Sequence, residues 1–278
     1  MHSKPEINMV IEARQDSRAY WNELWDYREL LLFLTLKDIL VRYKQMVIGI
    51  AWSVLRPVIA MAVFTVVFGR IAHLPSEGQV PYALMVFAAL LPWQLFSSAL
   101  QGSSESVVSA KDLVTKVYFP RVIIPVSAVL SSMVDFLIAV AIFACLMVWY
   151  QQAPDWKIVA LPFLVLQASL VALGLGLTAS ALNVSYRDFK YIVPFAIQFG
   201  LFLSPVGFSS TVVPDEWKLV YSLNPMVGVI DGFRWSLLGQ DVDVYWPGVV
   251  LSWVVTFAVV IAGFWTFRRL EAGFSDRI

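Results

Sequence analysis

Charge is scarce in this chain. Asp, Glu, Lys and Arg make up 14% of its 278 residues, where a soluble domain carries about a quarter. Apolar residues make up 59%. Together these exclude a water-soluble globular protein, which has no place for several apolar runs of about 20 residues each. Basic and acidic residues balance at 20 each, so no net field draws a polyanion, and nucleic acid is excluded as a partner. Cysteine occurs once, as Cys145, so no disulfide can form within the chain. Histidine occurs twice, as His2 and His73, without companions at ligand spacing, so no metal site is expected. No G-x-x-x-x-G-K-S/T is present, so the chain has no phosphate-cradling loop of its own. No G-x-S-x-G or His–carboxylate cluster points to nucleophilic catalysis. The opening residues, MHSKPEINMVIEARQDSRAYWNELWDYREL, contain no early apolar run, so no signal peptide is expected. No internal repeat is evident, which speaks against the inverted-repeat secondary transporters.

What the chain has instead is six long apolar runs, at about 48–70, 82–103, 122–150, 158–182, 191–208 and 246–267. Each is long enough, or nearly so, to cross roughly 30 Å of hydrocarbon at about 1.5 Å per residue. The expected fold is therefore an all-α, polytopic membrane protein with six transmembrane helices. Residues 1–45 form a cytosolic N-terminal segment and residues 46–278 the transmembrane domain. Six crossings put Lys4, Arg14, Arg18, Arg28, Lys37, Arg42, Lys44, Lys111, Lys116, Arg121, Arg187, Lys190, Arg268, Arg269 and Arg277 on one side. That is 15 of the 20 basic residues, so the side is cytosolic and both termini lie inside.

LNPMVGVIDGFRWSLLG, residues 223–239, fits none of the six runs. A crossing here would move Arg268 and Arg269 outside, against the charge rule. Full immersion in water would expose Met226, Val227, Val229, Ile230, Phe233, Trp235, Leu237 and Leu238. A shallow re-entrant hairpin meets both objections: VVPDEWKLVYSL is one limb, Asn224–Pro225 the bend, and MVGVIDGFRWSLLG the other. Such backbone is tolerated at membrane depth where protein or a watery cavity covers it. Asp231 and Arg234 are three apart, on one helical face, and are expected to pair. The other reading is an interfacial helix with a surface ion pair.

On the cytosolic side, Leu32, Leu36, Ile39, Leu40 and Tyr43 follow helical spacing within residues 20–45, with Lys37, Arg42 and Lys44 turned away. That pattern predicts an amphipathic helix in the headgroup layer, the alternative being a helix packed on a soluble partner, and Tyr20, Trp21, Trp25 and Tyr27 suit the same interface. The loop SESVVSAKDLVTKVYFPR, residues 104–121, mixes charge with Val107, Val108, Leu113, Val114 and Val117 and stops at Pro120. It reads either as a short helix for a cytosolic partner or as an ordinary basic loop.

Two charges fall inside runs, Arg56 in the first and Asp135 in the third. Intramembrane charge costs at least about 2.5–3.5 kcal/mol on insertion scales and faces protein or water, so an Arg56–Asp135 pair is the expectation. Ala168, Ala172, Gly176 and Ser180 repeat at i+4 in the fourth run, a row that lets helix backbones approach closely. Among the aromatics, Trp93, Phe96 and Phe199 are candidates to line a pore and to offer ring faces to sugar C–H groups.

Five segments, taken in order, carry a resemblance. They are KDILVRYKQMVIGIAWSVLRPV, LVTKVYFPRVIIPVS, NVSYRDF, LSPVGFS and LNPMVGVIDGFRWSLLG. From about residue 30 to 270 the chain is similar to ABC-2-type polysaccharide export permeases, the membrane subunits that export O-antigen, capsule or teichoic acid polymers. The resemblance implies a homodimer in the bacterial inner membrane, with a separate ATP-binding subunit docked on each copy. The chain itself would carry no cofactor, with ATP and Mg on the partner. Residues 20–45 would be the interface helix, and part of 104–119 the coupling helix, through Ser109, Lys111, Asp112, Leu113 and Lys116. Residues 212–239 would hold two short re-entrant gate helices, with Asn224, Pro225, Asp231 and Arg234. The cargo implied is an undecaprenyl-diphosphate-linked glycan, its headgroup met by Arg42 and Lys44 among the membrane lipids. Arg56 departs from the uncharged polar residue common before Pro57 in this family. Two alternatives remain: an ABC-2 exporter of drugs or small lipids, and an intramembrane polyprenyl-phosphate sugar transferase. The transferase would need acidic or His residues clustered at one membrane face.

Overall fold

The computed structural model describes residues 23–44, 49–77, 80–239, 242 and 244–274. Tyr20 and Trp21 of the expected interface segment, and the C-terminal Arg277, lie outside the described residues. Ten α-helices are described: α1 (Arg28–Lys44), α2 (Gly49–Phe64), α3 (Tyr82–Ser109), α4 (Lys111–Lys116), α5 (Ile123–Trp149), α6 (Leu161–Ser185), α7 (Phe189–Leu203), α8 (Asp215–Tyr221), α9 (Pro225–Leu238) and α10 (Trp246–Glu271). A π-helical turn, Thr65–Ile71, prolongs α2, and 3-10 turns at Trp156–Ala160 and Ser210–Val212 precede α6 and α8. No strand occurs among the described residues.

Helix boundaries follow local chemistry. Proline stands in the first turn of α6, α9 and α10, where its missing N–H costs nothing. The Asp155 side chain accepts from the Trp156 N–H at 2.7 Å and caps the turn before α6. Gly239 ends α9 at φ 99°, a conformation that favours glycine. Ser204 is extended, at φ −101° and ψ 152°, as a residue before proline should be, so α7 stops at Leu203.

Among the described residues, five helices are long and apolar enough to cross a membrane: Ala51–Ile71, Tyr82–Ser109, Ile123–Trp149, Trp156–Ser185 and Trp246–Glu271. These coincide with five of the six expected runs. The sixth, expected over 191–208, is shorter: α7 has 15 residues, about 22 Å of rise.

α3 is the hub. Every residue from Leu84 to Leu91 is 2% exposed or less, as expected of a helix apolar on all sides. α5, α6 and α9 pack around it, and α10 packs on the far side of α6. The small-residue row Ala168, Ala172, Gly176 and Ser180 is buried, and a Cβ added at Gly176 would stand 2.4 Å from Ser103 Oγ of α3. Gly174, on another face of α6, meets α10: a Cβ at Gly263 would lie 2.1 Å from the Gly174 carbonyl oxygen.

The bundle has two distinguishable ends. At one, Tyr82 donates from its hydroxyl to the Gly207 carbonyl, and Asn224 Nδ2 donates to Ser204 Oγ at 3.0 Å. At the other, Asn183 Nδ2 donates to the Ser104 carbonyl at 3.1 Å. There a second apolar core joins Leu34, Val114, Phe119, Val184 and Phe267.

Substituting Gly263 with Ala should lower the thermal midpoint of the purified protein by the equivalent of about 1–3 kcal/mol, because a well-packed seam must open. Val250→Leu, on an exposed face of the same helix, should change it little. Equal melting of Gly263→Ala and wild type would mean that the two helices do not touch here.

Candidate functional site

A cavity of about 660 Å³ opens between α1, α2, α3, α5 and α7. Its lining mixes aromatic rings, Trp52 and Trp93, with charged and amide groups, among them Arg42, Arg56, Gln94, Gln101, Glu105 and Asp135. Asp135 organises one wall. Its two oxygens accept from the Arg42 guanidinium and the Tyr43 hydroxyl, and Ser53 Oγ donates to the second oxygen at 3.3 Å. This corrects the expected Arg56–Asp135 pair. Both residues line the cavity, but the last turn of α1 lies over α5 and brings Arg42 to Asp135. Arg56 faces the same hollow from an exposed position on α2. Burial, followed by the hydrogen bond to Asp135 and its charge, holds the Tyr43 hydroxyl above its ordinary range. Asp38, on the same helix, is also raised by burial, against the pull of Lys37, Arg42 and a hydrogen bond from Ser127.

Lys44 is exposed at the end of α1. Ser109, Lys111, Asp112 and Lys116 are exposed around α4, Leu113 is half-buried, and Val114 anchors the helix in the second core. Asp112 and Lys116 pair at 3.8 Å in the open, a contact of small energetic weight. Trp93 borders the cavity, whereas Phe96 is closed inside the bundle at 6% exposure. Phe199 is exposed and stacks on Phe195 with ring centroids 6.2 Å apart.

At the opposite end, α9 is buried along nearly its whole length. Asn224 caps it by accepting from the Met226 N–H at 3.1 Å. Glycine makes the burial feasible, since a Cβ at Gly228 would stand 2.6 Å from Ser252, and one at Gly232 would stand 2.6 Å from Leu164. Gln167 of α6 donates to Ser252 Oγ at 2.7 Å, which in turn donates to the Pro225 carbonyl at 2.7 Å.

Arg234 is 0% exposed. Its ionic partner is Glu77, at 3.2 Å, and not the expected Asp231. The guanidinium also donates to the carbonyls of Phe208 at 3.0 Å, Val206 at 3.2 Å and Met85 at 3.4 Å. Asp231 shares the helix face but takes a hydrogen bond from Ser210. Three-residue spacing allowed an Asp231–Arg234 pair; the carbonyls of the 204–208 turn, together with Glu77, drew the guanidinium away. Only a planar, five-donor group can serve that many acceptors at once.

Glu77, Tyr43, Ser53 and Gln167 are the functional side chains that sequence reasoning missed. Gln167 alone carried a signal, as an amide inside an apolar run.

A multi-pass helical membrane protein with a mixed polar and aromatic hollow among its helices has the build of a transport permease. The ABC-2 type transporter family matches residues 29–238, and the chain belongs to that family. It is 30% identical over 216 residues to the O-antigen export system permease protein RfbA of Myxococcus xanthus, covering 76% of this chain and 81% of the relative. It is 26% identical over 250 residues to an RfbA of Klebsiella pneumoniae, covering 89% and 94%. It is also 26% identical over 222 residues to the inner membrane transport permease YadH of Escherichia coli, covering 73% and 83%.

Two measurements check the ion pairs. In a thermal double-mutant cycle, Arg42→Met and Asp135→Asn should couple by about 0.5–3 kcal/mol, whereas Arg56→Gln and Asp135→Asn should be additive within about 0.5 kcal/mol. At the other end, Glu77→Gln should cost about 3–5 kcal/mol by leaving the Arg234 charge alone. Arg234→Met added to Glu77→Gln should recover part of that loss; an undiminished loss in the double variant would show that charge is not the cause.

Proposed function

We propose that this chain is the permease subunit of an exporter that moves a lipid-diphosphate-linked polysaccharide, such as O-antigen, across the bacterial inner membrane. A separate ATP-binding subunit drives it. The observation that carries this reading is the membership in the ABC-2 type family together with relatives named O-antigen export permeases along most of the chain. The cavity supports it chemically: guanidinium groups suit a diphosphate, and Trp52 and Trp93 suit lipid and sugar.

The topology proposed has six crossings with both termini cytosolic, α7 being the short fifth crossing. Contacts at its two flanks support this. Asn183, just before α7, meets Ser104, and Gly207, just after it, meets Tyr82. Along α3 those two residues are about 33 Å apart by helical rise, a full bilayer core. On this topology α8 and α9 form a re-entrant pair on the periplasmic side, which is the proposed gate.

Two copies form the translocation path at their interface. Arg42 and Lys44 meet the diphosphate headgroup at the cytosolic face, where they also attract anionic lipid. For Arg42, the phosphate takes the place of Asp135. ATP binding closes the partner subunits, and α4, with Ser109, Lys111, Asp112, Leu113 and Lys116, passes that movement to the spans. The equilibrium shifts because ATP binds the closed state more tightly.

Deleting the gene should abolish surface polymer and accumulate lipid-linked glycan in the inner leaflet, and the intact gene supplied in trans should reverse both. Normal surface polymer in the deletion strain, measured by surface labelling and glycolipid extraction, rejects the reading.

A further inference from the structure

A second cavity, of about 240 Å³, lies beside α9 and is used by none of the roles above. Ser210 and Thr211 of the 3-10 turn, Lys218 and Tyr221 of α8, Asp231 of α9 and Tyr245 border it. Two groups set its chemistry. The Asp231 carboxyl is 6% exposed, has its pKa pushed up to about 7 by burial against a hydrogen bond from Ser210, and enters no ion pair among the described residues. The Tyr221 hydroxyl is shut off from solvent and has no hydrogen-bond partner among the described residues. Burial first, and the Asp231 charge second, keep that phenol protonated, above its ordinary range. Lys218 is engaged elsewhere, with Asp215 at 2.6 Å, and holds the Asp215 carboxyl below its usual range.

A strong acceptor and an unmet donor therefore stand together, and an unmet buried donor is costly. An ammonium ion would donate to Asp231 and leave the Tyr221 O–H without an acceptor. An anion would accept from Tyr221 and meet repulsion from Asp231. A hydroxyl donates and accepts at once, and so satisfies both. The volume is about that of eight water molecules in the liquid and lies below the roughly 300 Å³ at which drug-sized sites begin. Tyr245 adds an aromatic face, held against Gly248, where a Cβ would stand 2.7 Å from the ring.

We propose that this cavity is a saccharide subsite on the gate hairpin. Asp231 and Tyr221 hold one hydroxyl of a single neutral pyranose between them, Ser210 and Thr211 take neighbouring hydroxyls, and Tyr245 faces the C–H side of the ring. That the ring is a unit of the exported glycan, met as it leaves on the periplasmic side, rests on the proposed function; binding of a free pyranose does not.

The test is saturation-transfer NMR on the full chain in lipid nanodiscs, with the methyl glycosides of glucose, galactose, mannose and rhamnose as probes. Saturation should pass to at least one glycoside. Tyr221→Phe, which removes one O–H and keeps the ring, should weaken that binding by about threefold to tenfold, the worth of one net hydrogen bond. Asp231→Asn should weaken it at least as much, and where that variant does not fold, Tyr221→Phe decides alone. No transfer to any glycoside from the wild-type chain means that water alone occupies the cavity and overturns the proposal. Equal binding by Tyr221→Phe and wild type also overturns it. Surface polymer in the complemented deletion strain is read separately: its failure to return defeats the export reading and leaves the NMR result standing.

Discussion

Three carbonyl oxygens and one carboxylate oxygen converge on the Arg234 guanidinium from three separate stretches of chain. Glu77 comes from the segment between α2 and α3, Met85 from the first turn of α3, and Val206 and Phe208 from the turn after α7. A buried cation is tolerable only when such acceptors replace its water. That requirement fixes where α9 sits. With the guanidinium anchored, the glycine face of α9 lies against α6 and α10, and its cap reaches Ser204. The whole end of the bundle is tied to one side chain.

The opposite end is organised by looser means. Arg42 and Asp135 keep 37% and 27% of their side-chain surface exposed, so solvent screens their attraction and the pair is cheaper to separate than the buried one. The hydroxyls of Tyr43 and Ser53 share the same carboxylate. One end of the bundle is thus held tightly and the other is more easily parted.

Much of the architecture was legible because lipid forces it. Apolar runs at 82–103, 122–150, 158–182 and 246–267 match the long helices to within a few residues at each end, since backbone in hydrocarbon must satisfy itself. Pro205 should have warned that the run at 191–208 stops early, because the residue before proline leaves helical geometry. The partners of the charges were not legible. Arg56 and Asp135 share a cavity, and Asp231 and Arg234 share a helix face, but each carboxylate and guanidinium chose among every donor or acceptor that tertiary packing brought near. Spacing along one helix says nothing about Glu77, 157 residues away along the chain from Arg234. Aromatic roles were equally hidden: Trp93, Phe96 and Phe199 are alike in sequence, and only packing separates the closed-in Phe96 from the open Phe199.

The contact of Gly263 with Gly174 has a mechanical consequence. Helices that slide past one another need side chains that can exchange neighbours by small steps. Here two bare backbones touch, and a shift of one turn, about 5.4 Å, would set Val259 or Phe267 where only hydrogen fits. α6 and α10 therefore form a seam that cannot shear, and they travel as a single rigid slab whenever the surrounding helices rearrange.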